Sequence, residues 1–189
     1  MKRKVVALAV ALSLLANLFA FSTSFASAIP HAPNLGVCQM ATLVGTVQFK
    51  AYNGLYVTAD VNNGGALTAN RSVAKTWETF DVCLNSDGTA SFRAHANNLF
   101  VSARFNLTNT PLIANAPTIN AWEKFVLIYD PSDPSPTYTC AIQTASAPHN
   151  FASADPNHSS QLLADRADAK LWEHYALYSN GSSTPDAGC

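Results

Sequence analysis

The chain has 189 residues, of which only 12% are charged, and its formal net charge at pH 7 is −1. Beyond residue 28 its basic residues are scattered singly and form no basic stripe, which argues against nucleic acid or an anionic membrane surface as a partner. Its four cysteines and five histidines lack the closely spaced pairs of a zinc site, so we expect no metal and no cofactor.

Residues 1–28 have the pattern of a secretory signal peptide. Residues 2–4 are basic, residues 5–21 form an apolar stretch that is short for a membrane anchor, and residues 26–28 have the Ala-Ser-Ala form of a cleavage site. We therefore expect a secreted, extracellular protein that begins with an N-terminal segment at 29–43. All 12 acidic and eight of the 11 basic residues follow residue 28, so its net charge is −4.

From residue 44 onward the sequence repeats itself three times. Each copy carries a Trp-Glu-x-aromatic motif, and these motifs contain all three tryptophans of the chain. A leucine lies ten residues before each tryptophan, and an alanine follows that leucine by two residues. The predicted domain covers residues 44–180, with copies at about 44–86, 87–131 and 136–180 and a C-terminal tail at 181–189.

Each copy contains four short runs rich in Val, Leu, Phe, Tyr and Thr, which predict strands. Turn sequences such as Asn53 with Gly54 separate the runs, and no helical period persists over ten residues. Three copies of a four-stranded unit predict an all-β fold, the β-trefoil, because together they close a sheet whose edges one copy would leave open. An open solenoid is the alternative, but it would need more copies and polar caps.

The large side chains that recur in all three copies are the predicted core. In the second strand of each copy the aromatic persists, whereas the opposite side decays to Asn150 and Ala152, so we expect the aromatic to face inward. For the tryptophans, packing in the core is favoured over a flat platform for sugar. The predicted core residues are Tyr56, Trp77, Phe80, Phe100, Trp122, Phe125, Phe151, Trp172 and Tyr175.

The glutamate of the motif recurs as Glu78, Glu123 and Glu173. Its fixed place beside the tryptophan predicts a carboxylate that accepts hydrogen bonds from backbone N–H groups or arginine. Three-fold symmetry should keep the three carboxylates apart, whereas a glycosidase needs two within about 5–10 Å. Because no nucleophile motif is present either, we expect a protein without catalytic residues that is not an enzyme.

Copies one and three share polar loop residues that copy two lacks. One interpretation is an arginine–carboxylate pair that braces each loop; the other is a pair of pockets for a polar ligand, since such groups suit the adjacent hydroxyls of a sugar. The candidate ligand-binding residues are Asp60, Asn70, Arg71 and Lys75 in copy one, and Asp155, Asp165, Arg166 and Lys170 in copy three.

Residues 54–60, 67–71 and 77–80 resemble the fascin-like β-trefoil family, and the resemblance covers nearly all of residues 44–179. It implies the fold more than the ligand, since the family includes cytosolic actin bundlers and accessory modules of secreted bacterial glycoside hydrolases. The signal peptide favours the second group. The chain lacks the Gln-x-Trp repeats of ricin-B-type lectins, so their sugar-binding residues cannot be carried over.

The trefoil topology implied by this resemblance places the first strand of copy one beside its last strand, and likewise in copy three. It therefore implies the disulfides Cys38–Cys83 and Cys140–Cys189. Both other connectivities stay open, and Cys38–Cys189 is the stronger rival because the ends of a trefoil meet.

Together these features predict a monomeric, secreted, non-catalytic module that binds a glycan or polysaccharide through loops of copies one and three. The alternative partner is another protein, as in trefoils that inhibit proteases. For that function the candidate loop is the proline-rich segment 131–136.

Overall fold

The computed structural model describes residues 37–130, 137–179, 182–186 and 189. The predicted signal peptide and the proline-rich segment 131–136 lie outside the described residues. Within the described ranges, no helix is long and apolar enough to cross a membrane. Twelve strands are found there: β1 (Thr42–Ala51), β2 (Tyr56–Asp60), β3 (Ala66–Arg71), β4 (Phe80–Leu84), β5 (Ala90–Ala94), β6 (Phe100–Ala103), β7 (Leu112–Ala116), β8 (Phe125–Tyr129), β9 (Cys140–Thr144), β10 (Phe151–Ser153), β11 (Leu163–Arg166) and β12 (His174–Ser179).

The first and fourth strands of each repeat close into a six-stranded ring. β1 pairs with β4, β4 with β5, β5 with β8, β8 with β9, β9 with β12, and β12 returns to β1, all antiparallel. The other six strands form three hairpins, β2–β3, β6–β7 and β10–β11. Closure leaves the ring without a free edge. This arrangement is a β-trefoil, and it confirms the predicted all-β fold with three internal repeats.

The three hairpins are joined to one another by single bridges. Ala66 pairs with Ile113, Thr68 with Gln161, and Pro111 with Leu163. A tight approach at Gly65 supports the first of these junctions, since the Ala114 N–H donates to the Gly65 carbonyl at 2.8 Å. Gly65 has a φ of +84°, and a Cβ atom there would collide with the Ala114 carbonyl oxygen. Glycine is therefore required at this position by both backbone conformation and space.

The core is built from the same positions in each repeat, which is why the sequence repeats. At its centre the ring of Phe49 lies 5.8 Å from Phe80 and 5.2 Å from Phe92, so that side chains of two repeats meet. The recurring core residues are Phe49, Phe92 and Ile142; Val57, Val101 and Ala152; Ala59, Ala103 and Ala154; Leu67, Leu112 and Leu162; Ala69, Ala114 and Ala164; and Phe80, Phe125 and Tyr175.

The second strand of each repeat faces the core with the opposite side from the one predicted. Val57 and Ala59 are fully buried in the core in repeat 1, and Ala152 and Ala154 take these positions in repeat 3. The prediction treated the smaller side chains of copy three as a sign of exposure. Alanine is itself apolar and common in interiors, so it fits a buried position as well as valine does.

The aromatics of these strands consequently lie outside the main core, and the prediction of a core position is wrong for Tyr56 and Phe151 but confirmed for Phe100. The Tyr56 ring is half-buried and packs against Tyr178, with 5.8 Å between ring centroids. Phe151 is also half-buried. Phe100 is buried, but in a second, smaller cluster with Cys38 and its neighbours.

The prediction that the tryptophans fill the core is also wrong. Trp122 is 37% exposed, and Trp77 and Trp172 are half-buried. Each lies in the middle of a three-residue 3₁₀ turn rather than on a strand. The second aromatic of each motif lies at the start of the following strand and is fully buried, as predicted for Phe80, Phe125 and Tyr175.

Both predicted disulfides are confirmed. Cys38 is bonded to Cys83 with 5.5 Å between their Cα atoms, and Cys140 is bonded to Cys189 with a Cα separation of 5.2 Å. The pairing of β1 with β4 and of β9 with β12 brings each pair within reach, as the trefoil topology implied. Cys38 and Cys83 also belong to the second cluster, together with Phe100.

Candidate functional site

The motif glutamates fix the turns that carry the tryptophans. The turns are Thr76–Glu78, Ala121–Glu123 and Leu171–Glu173. In each, the glutamate Oε2 atom accepts the backbone N–H of the residue three positions earlier, at 2.8 Å in all three repeats. The glutamates are 2–4% exposed. Their predicted role as acceptors of backbone hydrogen bonds is confirmed, and the glutamate is the buried residue of each turn while the tryptophan stays partly exposed.

In repeat 1 the loop before this turn and the turn itself enclose an open pocket of about 750 Å³. Arg71 stands at the end of β3, and Trp77 lies on the turn that follows. The pocket therefore combines cationic groups, two hydroxyls and an aromatic face. Its walls are formed by Arg71, Ser72, Val73, Lys75, Thr76, Trp77 and Glu78.

Repeat 3 forms a second pocket, of about 310 Å³, at the equivalent position of its own loop and turn. Every residue of its wall occupies a repeat position that also lines the first pocket. Its walls are formed by Arg166, Ala167, Asp168, Lys170, Trp172 and Glu173. Repeat 2 keeps the tryptophan and the glutamate but has Ala116 in place of the arginine and Asn120 in place of the lysine. The two cations are thus what distinguishes repeats 1 and 3.

Four of the predicted site residues therefore line the two pockets, namely Arg71 and Lys75 in one and Arg166 and Lys170 in the other. Asp60 instead caps a turn, since its Oδ1 atom accepts the Asn62 N–H at 3.1 Å. Asn70 is an exposed residue of β3. In repeat 3, Asp155 and Asp165 support the pocket arginine from behind.

Arg166 is held by three carboxylates. Its Nη2 atom donates to Asp155 Oδ2 at 3.1 Å, and its Nε atom lies 3.6 Å from Asp165 Oδ1 and 3.8 Å from Glu173 Oε1. Burial raises the pKa of Glu173, and the Lys170 N–H and Arg166 oppose that shift. The predicted bracing of a loop by an arginine–carboxylate pair is therefore found in repeat 3.

Arg71 is held less firmly. Its Nε atom lies 3.9 Å from Glu78 Oε1, and its side chain is 48% exposed. The same Glu78 oxygen accepts the Thr58 hydroxyl, and the other oxygen accepts the Lys75 N–H. Both oxygens of the buried carboxylate are thus engaged within the fold, whereas the guanidinium faces the pocket.

The surroundings of the tryptophans also differ. Trp172 continues into a row of aromatic rings, with 5.9 Å between the centroids of Trp172 and Tyr52 and 5.3 Å between Tyr52 and Tyr138. In repeat 2, Arg104 stands 5.8 Å from the Trp122 ring, which also packs against Phe105 at 5.9 Å. The arginine that replaces the loop aspartate of the other repeats thus lies over the Trp122 ring, which is still 37% exposed.

Several wall residues had no signal in the sequence. Ser72, Val73 and Thr76 differ from their counterparts in repeat 3, and Asp168 replaces Val73 there. Because these residues differ between copies one and three, the repeat pattern does not mark them as site residues. Within the described ranges, no group of three or more His, Cys, Asp or Glu side chains is arranged to hold a metal ion.

No protein-family model and no curated protein matches the chain. Solved structures do match. The designed three-fold symmetric protein ThreeFoil has a TM-score of 0.59 and 10% identity over 71% of this chain and 99% of its own. The Rhizoctonia solani agglutinin has a TM-score of 0.57 and 10% identity over 71% of this chain and 94% of its own.

A third match is the GlcNAcα1-4Gal-releasing endo-β-galactosidase of Clostridium perfringens, with a TM-score of 0.57 and 10% identity. It covers 73% of this chain but only 33% of the enzyme. At these identities the matches show a shared fold alone. They support the β-trefoil, and the more specific resemblance to the fascin-like family stays a prediction.

Proposed function

We propose that this protein is a secreted, non-catalytic module that binds carbohydrate through the pockets of repeats 1 and 3. The observation that carries the proposal is the recurrence of one wall, with arginine, lysine, tryptophan and glutamate at the same positions, in two of three repeats. A scaffold needs its core positions in all three repeats. Lys75 and Lys170 are exposed and recur in only two repeats, so packing does not explain them and a ligand explains them better.

The chemistry of the wall suits a sugar. The face of an indole accepts the apolar C–H side of a pyranose ring, and guanidinium and ammonium groups donate hydrogen bonds to its hydroxyl oxygens. Half-buried tryptophans at Trp77 and Trp172 offer such faces, whereas a fully buried core residue would not. The fold is also shared with an agglutinin and with an endo-β-galactosidase, which is consistent with a carbohydrate-binding module.

Two further observations support the rest of the proposal. Both oxygens of Glu78 are engaged within the fold, by the Thr58 hydroxyl and the Lys75 N–H, which favours a structural role over acid–base catalysis. The two disulfides are compatible with the oxidising extracellular environment that the predicted signal peptide implies.

Retention on insoluble polysaccharides and a glycan array tests the proposal. We expect the mature protein to be retained, and the double variant Trp77→Ala/Trp172→Ala to lose retention while it stays folded. Trp122→Ala is the matched control, because Trp122 occupies the same turn without the two cations, and it should bind normally. Absence of any retained glycan, or loss of binding in the control alone, would contradict the proposal.

A further inference from the structure

We infer that the two pockets differ in ligand class: the repeat 1 pocket takes a sugar that carries an anionic group, a carboxylate or a sulfate, and the repeat 3 pocket takes a neutral sugar. This inference rests on the proposed function and goes beyond it. It follows from how differently the two equivalent arginines are neutralised by the protein.

The repeat 1 pocket has two cations, Arg71 and Lys75, and one acid in its wall. That acid, Glu78, is 3% exposed and uses both oxygens inside the fold, so it stands behind the pocket rather than in it. The 3.9 Å between Arg71 Nε and Glu78 exceeds hydrogen-bond length. The half-exposed guanidinium can therefore present its donors to a ligand.

A guanidinium with unused donors is suited to a planar or trigonal anion. It can donate two parallel hydrogen bonds to a carboxylate or a sulfate, and such charge-assisted bonds are stronger than those to a neutral hydroxyl. Lys75 adds a second positive charge to the same wall, and it is exposed. The positive charge of this pocket is thus uncompensated at its surface.

The rest of this wall favours a sugar over a simple anion. Val73 is 62% exposed and Trp77 is half-buried, so the pocket offers apolar surface beside its cations. A ligand that uses both features has an apolar face and an anionic substituent. Acidic sugars, such as uronic acids and sulfated hexoses, have both.

In repeat 3 the corresponding arginine is already neutralised. Arg166 has Asp155 at 3.1 Å, Asp165 at 3.6 Å and Glu173 at 3.8 Å. Asp168 also replaces the exposed valine of repeat 1 in the pocket wall. Acidic groups outnumber Arg166 and Lys170 there, so an incoming anion would be repelled, whereas the hydroxyls of a neutral sugar would still find partners.

Isothermal titration calorimetry with three matched oligosaccharides tests the inference: an oligogalacturonate, its carboxyl-reduced neutral form, and a sulfated form of that neutral oligomer. In the variant Trp172→Ala, which leaves the repeat 1 pocket, we expect either anionic form to bind at least about tenfold more tightly than the neutral one, the range of a charge-assisted hydrogen bond. The two anionic arms show whether carboxylate or sulfate is preferred. Raising the salt concentration should weaken only the anionic ligands.

Variants assign the effect to one pocket. Arg71→Gln should lower affinity for the anionic oligomer by about tenfold or more and leave the neutral one unchanged, and Arg71→Lys should restore part of the loss. Arg166→Gln is the matched control and should leave anion binding unchanged. Thermal unfolding checks that the Arg166→Gln variant is folded.

Three outcomes would overturn the inference. Equal affinity of the Trp172→Ala variant for the anionic and neutral oligomers would contradict the proposed ligand class of the repeat 1 pocket and leave carbohydrate binding intact. Loss of anion binding in Arg166→Gln, with Arg71→Gln unaffected, would assign the site to the wrong repeat. If no saccharide binds, either on the array or in the calorimeter, the result would contradict both the proposed function and this inference.

Discussion

The Glu78 carboxylate accepts the backbone N–H of Lys75 at 2.8 Å, and this contact closes the turn that carries Trp77. Because the same contact recurs at Glu123 and Glu173, all three repeats present their tryptophan from the same turn. The differences between the pockets therefore come from the residues around the turn.

Two substitutions at Glu78 separate the contribution of its hydrogen bonds from that of its charge. Glu78→Gln keeps an acceptor for the Lys75 N–H and should lower the free energy of unfolding by about 1–2 kcal/mol. Glu78→Ala leaves both this N–H and the Thr58 hydroxyl without an acceptor and should lower it by about 2–4 kcal/mol. Urea unfolding at neutral pH measures both. Equal stability of the two variants would show that the carboxylate does not hold the turn in this way.

The two aromatic residues of the Trp-Glu-x-aromatic motif should differ in how much they contribute to the free energy of unfolding. Phe80 is fully buried, so Phe80→Ala should lower the free energy of unfolding by about 3–5 kcal/mol. Trp122 is 37% exposed, and Trp122→Ala should cost less than half as much. Thermal or urea unfolding compares them. A loss at Trp122 as large as that at Phe80 would restore the original assignment of tryptophan to the core.

Gly65 and Gly54 form a matched pair, since both have a positive φ, of +84° and +79°. An added Cβ would collide with the Ala114 carbonyl at Gly65 but meets nothing within 4 Å at Gly54. Gly54→Ala should therefore cost about 1 kcal/mol from backbone strain, and Gly65→Ala at least about 2–3 kcal/mol. The test is the change in unfolding midpoint, and similar changes at the two sites would argue against the tight hairpin junction.

The two disulfides close loops of nearly equal length, with sequence separations of 45 and 49. Loop-closure entropy then predicts a similar stabilisation from each, of about 4 kcal/mol. Paired Cys→Ala variants, unfolded in urea, measure the two contributions separately. The variant that lacks Cys38 and Cys83 should lose somewhat more, because both cysteines are buried in the second cluster with Phe100. The opposite order would mean that packing in this second cluster adds little.

The fold could be predicted because the core repeats itself. Leu67, Leu112 and Leu162 occupy one buried position in three copies, and such a pattern is visible without coordinates. The tryptophans recur just as strictly, yet they face outward. The tryptophan recurs because it belongs to the three-residue turn that the buried glutamate holds. Recurrence in a sequence therefore does not distinguish a side chain packed in the core from one that is part of a recurring turn.

The pockets could be predicted only in part. Arg71 and Lys75 were found because copy three repeats them and copy two does not. Their wall partners Val73 and Asp168 differ between the two copies, and that difference changes the charge of the pockets. A carboxylate that braces the arginine is one of the two interpretations of the sequence. That Asp155 comes nearest to Arg166, at 3.1 Å, depends on the pairing of β10 with β11, and the sequence alone does not give this distance.

The disulfides also determine how the chain would respond to tension. A pull on its two ends passes through Cys38 to Cys83 and through Cys189 to Cys140, so the covalent path bypasses the segments that these bonds enclose. The wall from Arg71 to Glu78 lies within the first enclosed segment and the wall from Arg166 to Glu173 within the second. Stretching would therefore extend the chain between Cys83 and Cys140, which contains repeat 2, whereas the two cationic loops would not be extended.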